Sequence, residues 1–255
     1  RDVERSRGLG DVYKRQAKCP ANGVFDRTNT VWVGDVKYKD ISGPDGVPDG
    51  VIDDYDKTNI GSPMPKFTFG WTNTFRYKNF DLSVFINGSY GNKVYNYLSM
   101  KLTHMNSPWT NQLNAVNGRA QLVPINPNKV YEDGTMWYND VSNVMVANPG
   151  ASIPRATIND PNDNDRISDR YIEDGSYIRL KNISLGYTFP KKTIDKLGLS
   201  NLRIYANIQN LLTITGYDGY DPEIGASTSS VNVYGLDNGR YPSPTVYSFG
   251  LNVSF

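Results

Sequence analysis

The sequence predicts an all-β chain whose regular part is the C-terminal five antiparallel strands of a transmembrane β-barrel, with short periplasmic turns and long extracellular loops. Three observations carry that prediction. Five segments alternate apolar and polar residues with a period of two, the stretches within them are free of charge, and the connections between them run short, long, short, long.

The first strand, about 66–77, puts Phe67, Phe69, Trp71, Phe75 and Tyr77 on one face and Thr68, Gly70, Thr72 and Thr74 on the other, because successive side chains of a strand point to opposite sides. The second, about 80–90, opposes Phe80, Leu82, Val84, Ile86 and Tyr90 to Asp81, Ser83, Asn87 and Ser89. In the third, about 176–189, Ile178 and Leu180 lie in one phase and Ile183, Leu185, Tyr187 and Phe189 in the other, which predicts a bulge near Lys181–Asn182. The fourth, about 201–212, opposes Leu202, Ile204, Ala206 and Ile208 to Arg203, Tyr205, Asn207 and Gln209. The fifth, about 245–255, carries Tyr247, Phe249, Leu251, Val253 and Phe255 against Ser248, Gly250, Asn252 and Ser254.

A soluble β-sandwich alternates as well, but it shows water a face on which Lys, Glu and Arg are common. Here the windows 67–75, 82–92, 182–190, 204–217 and 241–255 hold no Asp, Glu, Lys or Arg, whereas 21% of the whole chain is charged. A greasy face, a small polar face and charges gathered near the strand ends (Arg76, Lys78, Asp81, Lys191, Lys192, Arg203) fit a wall between lipid and a lumen. Asn87, Asn207, Gln209 and Asn252 are then expected to face the lumen. Lys78–Asn79 makes a tight hairpin, residues 91–175 a long connection, 190–200 a short one and 215–244 a long one. Short turns belong to the periplasmic end and long loops to the outside, which places Phe255 at the periplasmic end of the last strand. Five strands cannot close a barrel, and an open edge is not tolerated in lipid, so the chain is expected to belong to a larger one.

Composition removes other classes. With 38% hydrophobic residues and a mean hydropathy of −0.53, no run approaches the roughly 18 apolar residues a spanning helix needs. A net charge of +1 without a basic, aromatic-laced patch argues against nucleic acid as a partner. The single cysteine, Cys19, says nothing about redox compartment. Residues 1–16, RDVERSRGLGDVYKRQ, show no alternation, and GLGDVYKRQ resembles a translated sequencing-adaptor remnant. They are expected to be a non-native tail, with 17–255 as the barrel part.

The acidic stretch from Asp40 to Asp56 is the most chemical-looking segment. Calcium takes six to eight oxygen ligands, which spaced carboxylates around a glycine turn supply. Asp49, Gly50, Ile52, Asp53 and Asp56 match D-G-x-I-D-x-x-D, the second half of an EF-hand-type loop. With Asp40 and Ser42 as first ligands the spacing is interrupted around Pro44–Val47, and a start at Asp45 puts Val47 where a ligand belongs. A structural calcium held by Asp40, Asp45, Asp49, Asp53 and Asp56 therefore stands beside a plain solvated turn. The long loops carry Trp109, Trp137, Tyr138 and Tyr217, flat faces suited either to stacking on sugar rings or to packing the loops and a partner. No enzyme is expected: the chain has one histidine, His104, no G-x-S-x-G, and only Gly8-x-Gly10 of a phosphate-binding glycine pattern.

Five separated segments, GDVKYKDISG (34–43), DGVIDDYDKTNIGSPMPKFTFGWTNTFRYKNFDLSVFINGSYGNKVYN (49–96), SDRYIEDGSYIRLKNISLGYTFP (168–190), LSNLRIYANIQNLLTITGYDGYDPE (199–223) and the closing strand, resemble the C-terminal portion of the SusC/RagA-like TonB-linked outer-membrane transporters. The resemblance runs from about Gly34 to Phe255 and is weakest over residues 100–165. It implies a 22-stranded barrel with a plugged lumen, an outer-membrane location, and active import of an oligosaccharide or a peptide. It also implies a SusD-like surface lipoprotein as lid, TonB as energy source through a segment upstream of this chain, and Phe255 as a C-terminal signal read by the barrel-assembly machinery. A passive porin-like barrel and a soluble carbohydrate-binding β-sandwich remain the alternatives.

Overall fold

The structure, a computed structural model, describes Cys19, residues 30–224 and residues 234–255. The tail expected at 1–16 lies outside the described residues. Two compact units divide the chain, one of Arg1–Ile60 with Leu98–Tyr171, the other of Gly61–Tyr97 with Ile172–Phe255.

The second unit is built on antiparallel strands, as the alternation requires. Its long strands are β1 (Phe67–Tyr77), β2 (Phe80–Tyr90), β7 (Tyr177–Thr188), β8 (Asn201–Thr215) and β10 (Val246–Ser254), paired in the order β1-β2-β7-β8-β10. The register puts Phe69 opposite Gly88, Trp71 opposite Ile86 and Phe75 opposite Leu82. The same row continues through Leu82–Leu185, Leu185–Ala206 and Ala206–Phe249. Apart from Asn73, opposite Val84, one face is thus apolar across the sheet, and its rings stand in the open, Phe249 with 82% of its surface exposed. The other face carries Thr72, Ser83, Ser184, Asn207 and Ser248.

The phase change read in the third strand is a bulge at Lys181. Asn182 pairs with Phe85 and Leu180 with Ile86, so Lys181 is skipped, and the β7–β8 register shifts at the same place. The extra residue returns Ile178 and Leu180 to the face that Ile183, Leu185 and Tyr187 occupy. On β8, Asn210 takes a positive φ of 52° beside the shift, and the strand runs on to Thr215, past the end predicted from alternation.

The connections differ in kind. Lys78, at φ 53°, turns β1 into β2. A short helix, α2 (Lys191–Ile194), and a 3-10 turn ending at Gly198, with φ 69°, join β7 to β8. The long connections carry small elements: β3 (Lys93–Asn96) pairs antiparallel with β6 (Ile172–Asp174) and parallel with β9 (Leu236–Asp237). Among the described residues no helix is long and apolar enough to cross a membrane.

The first unit has a conventional small core. Cys19, Trp32, Val33 and Val144 are buried together, with Leu122, Trp137, Val141 and Val146 packed against them. The hairpin of β4 (Leu122–Pro124) and β5 (Val144–Val146) supplies part of it. The helix α1 (Tyr97–Thr103) precedes His104, whose amide donates to the Met100 carbonyl at 3.0 Å.

Gly88 and Gly186 of the sheet are required by close approach. A Cβ on Gly88 would lie 2.5 Å from the Phe69 ring and 2.6 Å from the Tyr177 carbonyl oxygen. Gly88→Ala is expected to cost about 1–3 kcal/mol by overpacking, measured by denaturant titration. Phe69→Leu should restore only part of it, because the backbone contact remains. Gly186 lets an ion pair pass over it. Arg203 on β8 donates two hydrogen bonds to Asp81 on β2, Nη2 to Oδ2 at 2.6 Å and Nε to Oδ1 at 3.1 Å. Gly186 of β7 stands between, opposite Asp81 on one side and Tyr205 on the other, and a side chain there would strike both partners.

Candidate functional site

On the polar face of the sheet one charged group is fully buried. Arg179 comes from β7 and is only 2% exposed. Its Nε donates to Thr213 Oγ1 on β8 at 2.9 Å, its Nη1 to Glu223 Oε2 at 2.8 Å, and its Nη2 to Asp221 Oδ1. Lys181, the bulge residue, donates to the same Glu223 oxygen at 2.9 Å. The amides of Glu223 and Ser243 complete the shell of Asp221, at 2.9 and 3.0 Å. Burial would raise the Asp221 carboxyl, but these amides and the Arg179 guanidinium outweigh it and hold the group below the usual carboxylate range. The arrangement ties residues 221–223 and Ser243 to the β7–β8 pair. Sequence reasoning missed it, although Arg179 and Lys181, two charges in a strand otherwise free of them, were a signal.

Tyr217 leads into that segment and is buried, 5% exposed. Its hydroxyl donates to Asp237 Oδ2 at 2.5 Å, and Asp237 Oδ1 accepts from the amides of Gly239 and Arg240. Burial first, and then the bonded Asp237 carboxylate, raise the Tyr217 phenol far above its ordinary value. Tyr217 therefore pins β9 and does not offer a face to a ligand.

The other aromatics named from sequence separate. Trp109 is 93% exposed. Trp137 packs against the core cluster of the first unit, and Tyr138 meets it edge to face at a centroid distance of 5.7 Å while remaining exposed. Phe255 is exposed, and its carbonyl accepts from Ser200 Oγ at 3.2 Å.

In the acidic loop the carboxylates serve the backbone. Asp53 and Asp56 form a capping box on the 3-10 turn Asp54–Asp56. Asp56 Oδ1 also accepts from the amides of Ile41 and Ser42 at 2.7 and 3.2 Å. Asp40 accepts from the Gly50 amide at 2.5 Å and Asp49 from that of Val51 at 2.9 Å, while Asp45 is exposed. Asp56 is pulled below the usual carboxylate range because those amide bonds outweigh its desolvation.

Elsewhere in the first unit a buried polar hub brings distant segments together. Asp35 pairs with Arg155, Nε to Oδ1 at 2.8 Å. Asn164 accepts from the Val36 amide at 2.8 Å and donates to Asp35 at 3.1 Å and to Asp160. His104 Nε2 lies 2.7 Å from Asp160 Oδ2, and its Nδ1 lies 3.3 Å from Asp165 Oδ2. Among the described residues, His104, Asp160 and Asp165 are the one group of three such side chains whose ligand atoms lie within 4.8 Å of one another. From the sequence His104 stood only as the one histidine of the chain.

No family model matches the chain. Among curated proteins it is similar to TonB-dependent receptor P3 of Formosa agariphila, 36% identical over 211 residues that are 81% of this chain and 18% of that receptor. TonB-dependent receptor P26 of the same organism is 32% identical over 252 residues, 96% of this chain and 22% of the receptor. TonB-dependent receptor SusC of Bacteroides thetaiotaomicron is 28% identical over 257 residues, 96% of this chain and 21% of SusC. The chain thus spans about a fifth of the length of the curated relatives it matches. Among solved structures, the RagAB peptide importer in its open-open state matches with a TM-score of 0.52 and 20% identity, over 83% of this chain and 20% of that one. The closed-closed state matches with a TM-score of 0.52 and 19% identity, over 84% and 20%. At that identity the likeness is one of fold.

Proposed function

Since the chain belongs to the SusC family of TonB-dependent receptors, we propose that it forms the C-terminal part of the barrel wall of an outer-membrane importer driven through TonB. The observation that carries this reading is the two-faced sheet: one face is apolar and open across the strands, the other mostly polar, with Phe85 and Tyr205 among its Thr, Ser, Asn and charged side chains. Lipid is the solvent that such a face suits. At the outer strands, β1 and β10, further strands of the same protein complete the ladder, since an unpaired edge is not tolerated in a bilayer.

In this reading the cargo is an oligosaccharide or a peptide, and a SusD-like lipoprotein covers the outer side. Trp109 and Tyr138, exposed on the long β2–β7 connection, are the aromatic faces offered to cargo or lid. That the relatives are named as receptors supports transport rather than catalysis. Uptake of labelled oligosaccharide or peptide by cells carrying the whole gene tests the proposal. Uptake that disappears when TonB is inactivated supports it, whereas uptake that persists makes the barrel a passive pore.

Phe255 is proposed as an assembly signal. Since 93% of its surface is exposed, little packing is lost with it. Its deletion should nevertheless lower the amount of assembled protein in outer membranes several-fold, read by immunoblot of unheated samples. Unchanged assembly would remove that role.

A further inference from the structure

We propose that His104 and Asp165, with Asp160 behind them, form a binding site for a divalent first-row transition ion of the Zn²⁺ type. The two ring nitrogens of His104 have different surroundings. At 2.7 Å, Nε2 and Asp160 Oδ2 are at hydrogen-bond distance, and Asp160 also accepts from the Asn164 amide at 2.7 Å. With a carboxylate that only accepts, Nε2 carries the proton and the lone pair of the neutral ring sits on Nδ1. That lone pair faces Asp165 Oδ2 at 3.3 Å. With the ring neutral, two electron pairs face each other across this gap, and a cation between them relieves the repulsion. The separation is long for a charge-assisted hydrogen bond, about 2.7–2.9 Å. It matches two ligands of one tetrahedral ion at about 2.0–2.2 Å each, which stand about 3.4 Å apart.

A ligating histidine that donates its other N–H to a carboxylate is the arrangement that fixes ring orientation at metal sites. Charge points the same way. Asp35 is matched by Arg155, and Arg166 lies over the Tyr38 ring and beside Asp163. Among the described residues no Lys or Arg lies within salt-bridge distance of Asp160 or Asp165, and the ionisable partner they share is His104. A dication balances the two carboxylates around a neutral imidazole. His104 and Asp160 are 6% and 7% exposed, whereas Asp165 is 30% exposed and leaves a path for the ion and for water ligands.

The test uses the intact protein from the complete reading frame, with any tag removed and metal stripped by chelator. Co²⁺ is the probe, followed by its visible d–d absorption, with Zn²⁺ added to displace it. One equivalent should bind with a tetrahedral-type spectrum, lost in His104→Gln and in Asp165→Asn. Asp160→Asn should weaken binding about 10–100-fold through ring orientation. Asp165 stands at the edge of the hub, so loss in Asp165→Asn with an unchanged melting temperature is not unfolding. No spectrum in the wild type, or the same one in His104→Gln and Asp165→Asn, overturns the site. The gap between Nδ1 and Asp165 then belongs to a proton, with His104 as an imidazolium held between two carboxylates.

Discussion

Arg179→Met is expected to destabilise the sheet-containing unit by about 3–5 kcal/mol, the usual consequence of removing one partner from a buried ion pair. The substitution keeps an unbranched apolar stem but removes the guanidinium, which lies 5.5 Å from the Tyr177 ring centroid, and Asp221 keeps its burial and loses its cation. The pH dependence follows with a definite sign. The folded Asp221 carboxyl lies below its ordinary value, so its contribution is complete above the unfolded value of about 3.9. It is lost as pH falls through the lower folded value. Denaturant titration at neutral pH and under increasingly acid conditions should show the wild type losing stability over that interval and Arg179→Met losing much less. A neutral-pH difference under about 1 kcal/mol, as for an exposed pair, would show that solvent reaches the group.

Trp71→Arg and Thr72→Arg form the second test, and their contrast is what matters. Both residues are exposed on β1, side by side in sequence and on opposite faces. If both faces met water, arginine would be tolerated similarly at either position. With the Trp71 face in lipid, Trp71→Arg should cost about 2–4 kcal/mol near the bilayer midplane, whereas Thr72→Arg, facing a lumen, should stay within about 0.5 kcal/mol. Urea titration of the intact protein in lipid vesicles, read by the shift between heated and unheated samples on gels, gives both numbers. Equal, small effects would take the lipid-facing assignment away.

Which features were legible in the sequence depends on how local their cause is. A period of two is written in neighbouring residues, so the strands showed themselves. Even the Lys181 bulge was visible, as the change of phase between Leu180 and Ile183. The end of β8 was less visible, because past Asn210 the strand continues through a register shift that breaks the alternation. β3, β6 and β9 hold at most four residues each, too few for a period to declare itself. The polar groups were the least legible. Arg179 finds Asp221 and Glu223 more than forty residues downstream, and His104 finds Asp160 at a separation of 56. Such partners are set by topology. Tyr217 shows the converse: the sequence left a ligand face and loop packing both open, and its burial with its hydroxyl on Asp237 gives it a structural task.

The Asp81–Arg203 pair across Gly186 has a consequence for how the strands find their alignment. A slip of one residue between β7 and β8 would turn every apolar side chain to the wrong side, and the two faces reject it. A slip of two residues keeps every face correct, so the alternating pattern is blind to it. It would, however, carry Arg203 about 7 Å along its strand, beyond the reach of a carboxylate whose place on β2 is already fixed. The ion pair acts as a vernier mark: it tells the intended alignment from the nearest one that hydrophobicity accepts, and it does so only after three strands have come together.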